Sequence, residues 1–348
     1  MEDREYQEMK PMERVLMDHG NISIVDLIFD ELDICDIIAI GSTCKRGRLA
    51  WQGYRERVFN LNKFLSVYVH NTTIFRSVIR ATDSIITGSC VTDFLRRTHS
   101  GSRPLTIVAK RYEAWYILDF LEEVEGYDEW TDDMMPGGSF SPPIGYTWRE
   151  GSTTGREGLR SGFLSTKAKS RTEHPIRDLL TLEKIDSEGR SKFIVLTIAT
   201  TCVTKTILSP RTTAAANVMT ADTIVSLFPS VTFKAKLNFT ITRSIPQRLW
   251  NTPVITTERM PAKEHADTSD YKVLNVREGK NPERAIGDSE CWVLMYDAEG
   301  NNIEPHHGSD ACRTLRELRE NKWRIRMREG RIFMDVESAK LSVNEEKQ

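Results

Sequence analysis

Between Ser84 and Lys110 the chain reads SIITGSCVTDFLRRTHSGSRPLTIVAK. Two short apolar runs, Ser84 to Thr87 and Leu105 to Ala109, are bounded by Gly and Pro and read as buried strands. Between them, 91–97 predicts a helix, and Gly88 permits the tight turn that enters it. A strand–turn–helix–strand unit leaves unpaired edges and an uncovered face. Such a unit needs further strands and covering helices from the rest of the chain.

Helical patterning precedes this unit. In NISIVDLIFDEL, Ile24, Leu27, Ile28 and Leu32 form one stripe. DICDIIAIGSTCK repeats the spacing with Ile34, Ile37, Ile38 and Gly41, with Asp33 or Asp36 as N-cap. RLAWQGYRERVFN turns Leu49, Tyr54 and Val58 inward. Three such short helices bury little by themselves, so the unit is expected to lean on a partner or on the next domain. Residues 61–80 predict one or two more helices with Phe64, Leu65, Phe75, Val78 and Ile79 inward. RYEAWYILDFLEEVEGY is a further helix presenting Ala114, Trp115, Leu118, Leu121 and Val124 on one face.

Prolines and glycines between 136 and 162 predict a long loop. Residues 192–200 form a β-branched strand, 211–229 a helix stopped by Pro229, and 251–290 a polar, irregular stretch. ECWVLMYDAEGN is a strand entering a turn, DACRTLRELRENKW a helix with Leu315 and Leu318 inward, and RIRMREGRIFMDV a hairpin across Glu329-Gly330. The organisation read from these patterns is a charged tail at 1–20, helices at 21–60, an α/β domain at 61–300, and a basic helix, hairpin and loose tail at 301–348.

Composition narrows the function classes. Charged residues are 28% of the 348 and the net charge is -2, so polyanion binding would need a local patch. Six cysteines lie far apart with no CxxC pair, which fits a reducing compartment better than a zinc ribbon or disulfide scaffold. The opening MEDREYQEMKPMERV is unlike a signal peptide, and no run of about 18 apolar residues predicts a membrane span.

The first helices carry paired apolar residues Ile24-Val25 and Ile28-Phe29, a Leu32-Asp33 step and Cys44-Lys45-Arg46. This pattern resembles an F-box over roughly residues 20–60, although Gly20-Asn21 stands where that family has Leu-Pro. The resemblance implies a helix-in-groove module in which Ile24, Val25, Ile28, Phe29, Leu32 and Ile37 dock on the Skp-family linker of a cullin ubiquitin ligase. The simpler alternative is a small helical domain packed on its own chain.

The Gly88-Ser89 turn, the closing Ala109-Lys110, and the segments 193–209 and 211–233 resemble the nucleotidyltransferase superfamily. They are closer still to a fungal group that joins an F-box-like start to such a domain. In that superfamily the Gly-Ser turn receives a triphosphate, and two acids on the next strand hold divalent metals. Here the acid positions are Pro104 and Thr106, and residues 99–112 contain no Asp or Glu. Together the two resemblances imply an α+β fold: an F-box-like helical unit at 21–60, then a degenerate, non-catalytic nucleotidyltransferase-like α/β domain at 61–300 that needs no cofactor or metal, and an irregular C-terminal part. They also imply a place inside the cell, in the cytoplasm or nucleus.

Other stretches point less far. EGSTTGREGLRSG lacks the Gly-Lys-Ser/Thr end of a phosphate loop. GFLSTK is similar to an element of ADP-ribosyltransferases, but its Glu123-Val124-Glu125 counterpart lies upstream. EPHHGSDAC matches no zinc spacing and reads as a loop capping the next helix. Cys90 at a helix start could gain thiolate character, but reads more simply as a buried thiol. Arg316, Arg319 and Lys322 anchor the densest basic cluster and could bind phosphates, whereas interspersed Glu317, Glu320 and Glu329 suit surface ion pairs.

The reading that follows is an adaptor linking a client protein to the ubiquitin-ligase linker through the first helices. Its rivals are a nucleotide binder or divergent transferase at Gly88-Ser89 with acids imported from Asp93, Asp119 or Asp222, and a nucleic-acid binder at 313–331.

Overall fold

The computed structural model describes residues 22–99, 101–129, 176–199, 212–242, 283–303, 318–328 and 331–338, with Val203, Thr206, Leu208, Lys263 and Arg316. The tail 1–20, the stretches 136–162 and 162–167, the 304–312 loop and Leu315 lie outside the described residues.

The fold is α+β, a helical N-terminal part followed by a mixed sheet with helices. Helices α1 (Ile22–Glu31), α2 (Ile34–Thr43) and α3 (Lys45–Val58) open the described chain. Side chains start the helices where the sequence offers them. Asp33 caps α2 through the amides of Cys35 and Asp36, Cys44 caps α3, and Asn60 caps α4 (Leu61–Leu65). Asn71 caps α5 (Thr72–Ala81) through Ile74. Helices α2 and α3 approach closely at Gly41, where an added Cβ would sit 3.0 Å from Trp51.

The stripes turn differently from expectation. Helix α1 buries Val25 and Phe29 while Ile24 and Leu27 face outward, and α3 buries Trp51 and Tyr54 while Leu49 is exposed. Aromatic rings decide the orientation. Phe29 meets Tyr54 edge-on at 5.1 Å, and Trp51 and Phe59 carry the contact on to Phe94 in the sheet domain. The three helices thus share one core with the body of the chain.

Strand β1 (Ile85–Thr87), α6 (Ser89–Leu95) and β2 (Leu105–Lys110) form the expected unit. After β2 come α7 (Ala114–Asp119) and a π-helical turn (Phe120–Val124). That turn widens the helix, so Phe120 and Leu121 point inward and Val124, expected inward, is exposed. Then follow β3 (Asp128–Glu129), β4 (Ile176–Ile185) and β5 (Ser191–Ala199).

The stretch 211–229 is not a helix. It forms β6 (Asn217–Met219) and β7 (Thr223–Ser226), an antiparallel hairpin, and Pro229 precedes a π-helical turn (Ser230–Lys234). Both strands are buried on both faces, so they show no period to read. Thr220 shapes the turn by accepting the amides of Asp222 and Thr223 on its hydroxyl.

Strands β8 (Ile241–Thr242), β9 (Glu283–Ala285), β10 (Trp292–Tyr296), β11 (Asn302–Ile303), β12 (Lys322–Arg328) and β13 (Arg331–Ser338) complete the described chain. The larger sheet runs β11-β10-β7-β6-β1-β2-β5-β4-β3, parallel only between β2 and β5. The smaller runs β8-β13-β12-β9. The division expected at residue 300 falls inside the β10–β11 hairpin, where Met295 pairs with Ile303. Among the described residues, no helix is long and apolar enough to cross a membrane.

Candidate functional site

Three places carry the functional expectations: the glycine turn after β1, the outer face of the first helices, and the basic cluster around Arg316, Arg319 and Lys322. At the turn, Gly88 adopts φ 93° and ψ -166°, a conformation closed to residues with a side chain. The β1–β2 register sets Thr87 opposite Thr106, and a Cβ on Gly88 would lie 3.4 Å from the Thr106 hydroxyl. Thr106 thus does face the turn, while Pro104 is buried just before β2. Neither side chain carries charge.

The space behind the turn is knitted by neutral groups. Thr87 Oγ1 donates to the Asn217 carbonyl at 2.6 Å, and Thr92 Oγ1 to the Ala214 carbonyl at 2.7 Å. Asn217 Nδ2 donates to Thr92 Oγ1 at 2.8 Å and to Ala214 O at 2.9 Å. Cys90 is buried beside them, and burial pushes its thiol up to about 12, away from thiolate chemistry.

Two of the three candidate imported acids, Asp93 and Asp222, are committed elsewhere. Asp93 is nearly buried and pairs with Arg103 at 3.0 Å. Asp222 is buried against Arg80 at 2.5 Å and Arg76 at 3.4 Å. Arg76 is itself buried and also donates to the carbonyls of Ala221, Asp297 and Ala298. Burial lowers the Arg76 pKa and Asp222 opposes that shift, as expected of a desolvated cation with one carboxylate. Asp119 is half-buried on α7. Among the described residues, no group of three or more metal-ligating side chains converges.

On the helical unit, Val25, Phe29 and Ile37 lie in the chain's own core. They cannot face a partner in this arrangement, because the body of the chain supplies the apolar surface they cover. Ile24 is 43% exposed and Leu27 66% exposed, with Ile28 and Leu32 partly buried beside the core. Patterning alone did not separate the two faces, because α1 is apolar on both.

A residue without any motif signal holds this unit in place. Arg97 donates to the carbonyls of Phe29 and Leu32 and to the Tyr54 hydroxyl, at 2.6, 2.5 and 2.6 Å. It occupies the left-handed region, φ 64°, just past the end of α6, where glycine is the usual residue. Thr98 N bonds Asp93 O at 2.9 Å and closes the helix end. Burial, with a hydrogen bond to Asp30, raises the Tyr54 pKa to about 12.

The basic cluster is divided. Arg316 and Arg319 are helical, but Lys322 opens β12 and shares no helix with them. Arg319 donates to the Gly287 carbonyl, Lys322 and Arg324 pair with Glu283, and Arg326 pairs with Asp335. Such pairing offsets the field a phosphate would sense. Against known protein families, curated proteins and solved structures, the chain matches none.

Proposed function

We propose that the chain is a non-catalytic interaction adaptor whose α1 docks on another protein. In the F-box-like reading that protein is the Skp-family linker of a cullin ubiquitin ligase, with the sheet domain presenting a surface to a client. The observation that carries this reading is the division of α1: Val25 and Phe29 anchor it, leaving Ile24 and Leu27 exposed one turn apart on a firmly held helix. A pre-ordered apolar ridge binds a groove without the entropic cost of folding on contact.

The sheet domain supports a non-enzymatic role in a second way. Pro104 and Thr106 stand where the resemblance expects carboxylates, and Asp93 and Asp222 are neutralised by arginines. Two-metal transfer needs acids aimed at the phosphate.

The test is capture of purified linker protein by the full chain. Wild type is expected to bind, and the double variant Ile24→Asp, Leu27→Asp to lose binding while remaining folded, since Leu27 is two-thirds exposed and Ile24 lies outside the buried core. Binding that survives the double variant would remove α1 from the interface. Absence of linker binding by the wild type, or magnesium- or manganese-dependent incorporation of labelled nucleotide, would overturn the adaptor reading.

A further inference from the structure

Where the helical unit meets the body, a cleft of about 390 Å³ opens between α1 and α2 on one side and the ends of α6 and the Ser230–Lys234 turn on the other. Three helical C-termini converge on it: Asp30 and Glu31 end α1, Arg96 and Arg97 follow α6, and Lys236 follows the π-helical turn. Its apolar surface comes from Leu32, Ile34, Leu95 and Phe233. That volume lies within the range of small-molecule sites, and the lining is half polar, which suits a charged rather than a wholly apolar ligand.

The two lips differ in charge. On the α1 lip, Asp30 is engaged by Tyr54 and Asp33 caps α2, whereas Glu31 forms no hydrogen bond or ion pair among the described residues. Its carboxylate adds to the negative end of the α1 dipole. Across the cleft, Lys236 is likewise uncommitted and exposed among the described residues. Lys236 sits at φ 53°, the left-handed position after a helical turn that glycine fills more easily. Arg97 occupies the equivalent position after α6 and uses its side chain as a latch. An ammonium at the second such position, facing the same cleft, has no structural task that the fold reveals.

We propose that this cleft binds a small zwitterion with an apolar body, of the amino-acid or dipeptide class. Its ammonium lies at the Glu31 lip, its carboxylate at Lys236, and its apolar side chain over Leu95 and Phe233. The site adjoins the α1 ridge through Glu31 and Leu32 but does not use Ile24 or Leu27.

The experiment is calorimetric titration of the full chain with leucine and leucyl-leucine, and with the N-acetyl and C-amide forms of each. Saturable binding is expected for at least one free zwitterion, weakened about tenfold or more by either block, the loss of one ion pair. Lys236→Gly relieves the left-handed backbone, so its melting temperature should be equal or higher while zwitterion binding weakens by the same factor as the C-amide block. The C-amide form should bind wild type and Lys236→Gly alike, and the N-acetyl form should bind wild type and Glu31→Gln alike. No binding of any form, or binding indifferent to both blocks and both variants, overturns the proposal.

Discussion

Gly88 and His99 show how single positions carry constraint in this chain. Gly88 is fixed by backbone, since its φ of 93° with extended ψ excludes a side chain. Gly88→Ala is expected to destabilise the fold by about 1–3 kcal/mol in urea unfolding. Adding Thr106→Ala should recover little, because the 3.4 Å approach to Thr106 is ordinary contact and the strain is torsional. His99 packs against Phe64 at 4.6 Å and Tyr68 at 5.8 Å, and neither ring nitrogen has a hydrogen-bond partner among the described residues. Burial holds its pKa below the ordinary 6.5, with Asp93 opposing. The folded state therefore resists the proton that the unfolded chain accepts. Stability should be constant above that value on account of this group, and fall as pH drops below it towards the folded pKa. His99→Phe should flatten that fall in denaturation measured from neutral to mildly acidic pH. A slope unchanged by the substitution would assign the acid sensitivity elsewhere.

At the scale of elements, much was legible and the failures have causes. The β1–α6–β2 unit, the first three helices and the β12–β13 hairpin follow from runs, caps and breakers that act locally. The β6–β7 hairpin was hidden because Val218, Met219, Ile224 and Val225 are buried between neighbouring strands, and alanines before them imitate a helix. The facing of α1 was hidden because both its sides are apolar, and only Tyr54 and the Arg97 latch decide which side goes in. That the strand after Gly88 carries no acid was visible at Pro104 and Thr106, but the burial of Asp93 and Asp222 against arginines depends on contacts up to 146 residues apart. The latch makes a test of its own. Arg97→Ala removes three charge-assisted bonds and should cost about 2 kcal/mol or more. Hydrogen exchange should then rise across 22–58 before it rises in the sheet. Arg97→Gly should recover part of the loss, since glycine tolerates the left-handed turn.

On the scale of the molecule, the sheet interleaves early and late sequence: β1 sits between β2 and β6, and β10 and β11 close the far edge. Helix α1 packs Val25 and Phe29 into a core cluster that also takes in β1, β2, β5 and β10, so it is held by residues from distant parts of the described chain. The Arg76 clamp extends that dependence into biosynthesis. Its acceptors at Ala221, Asp297 and Ala298 follow it by 145, 221 and 222 residues. Until they emerge from the ribosome, a guanidinium destined for the interior has, of its protein acceptors, only Asn62 Oδ1 already synthesised. The nascent chain should thus remain open to proteases and chaperones until the segment through Ala298 has emerged.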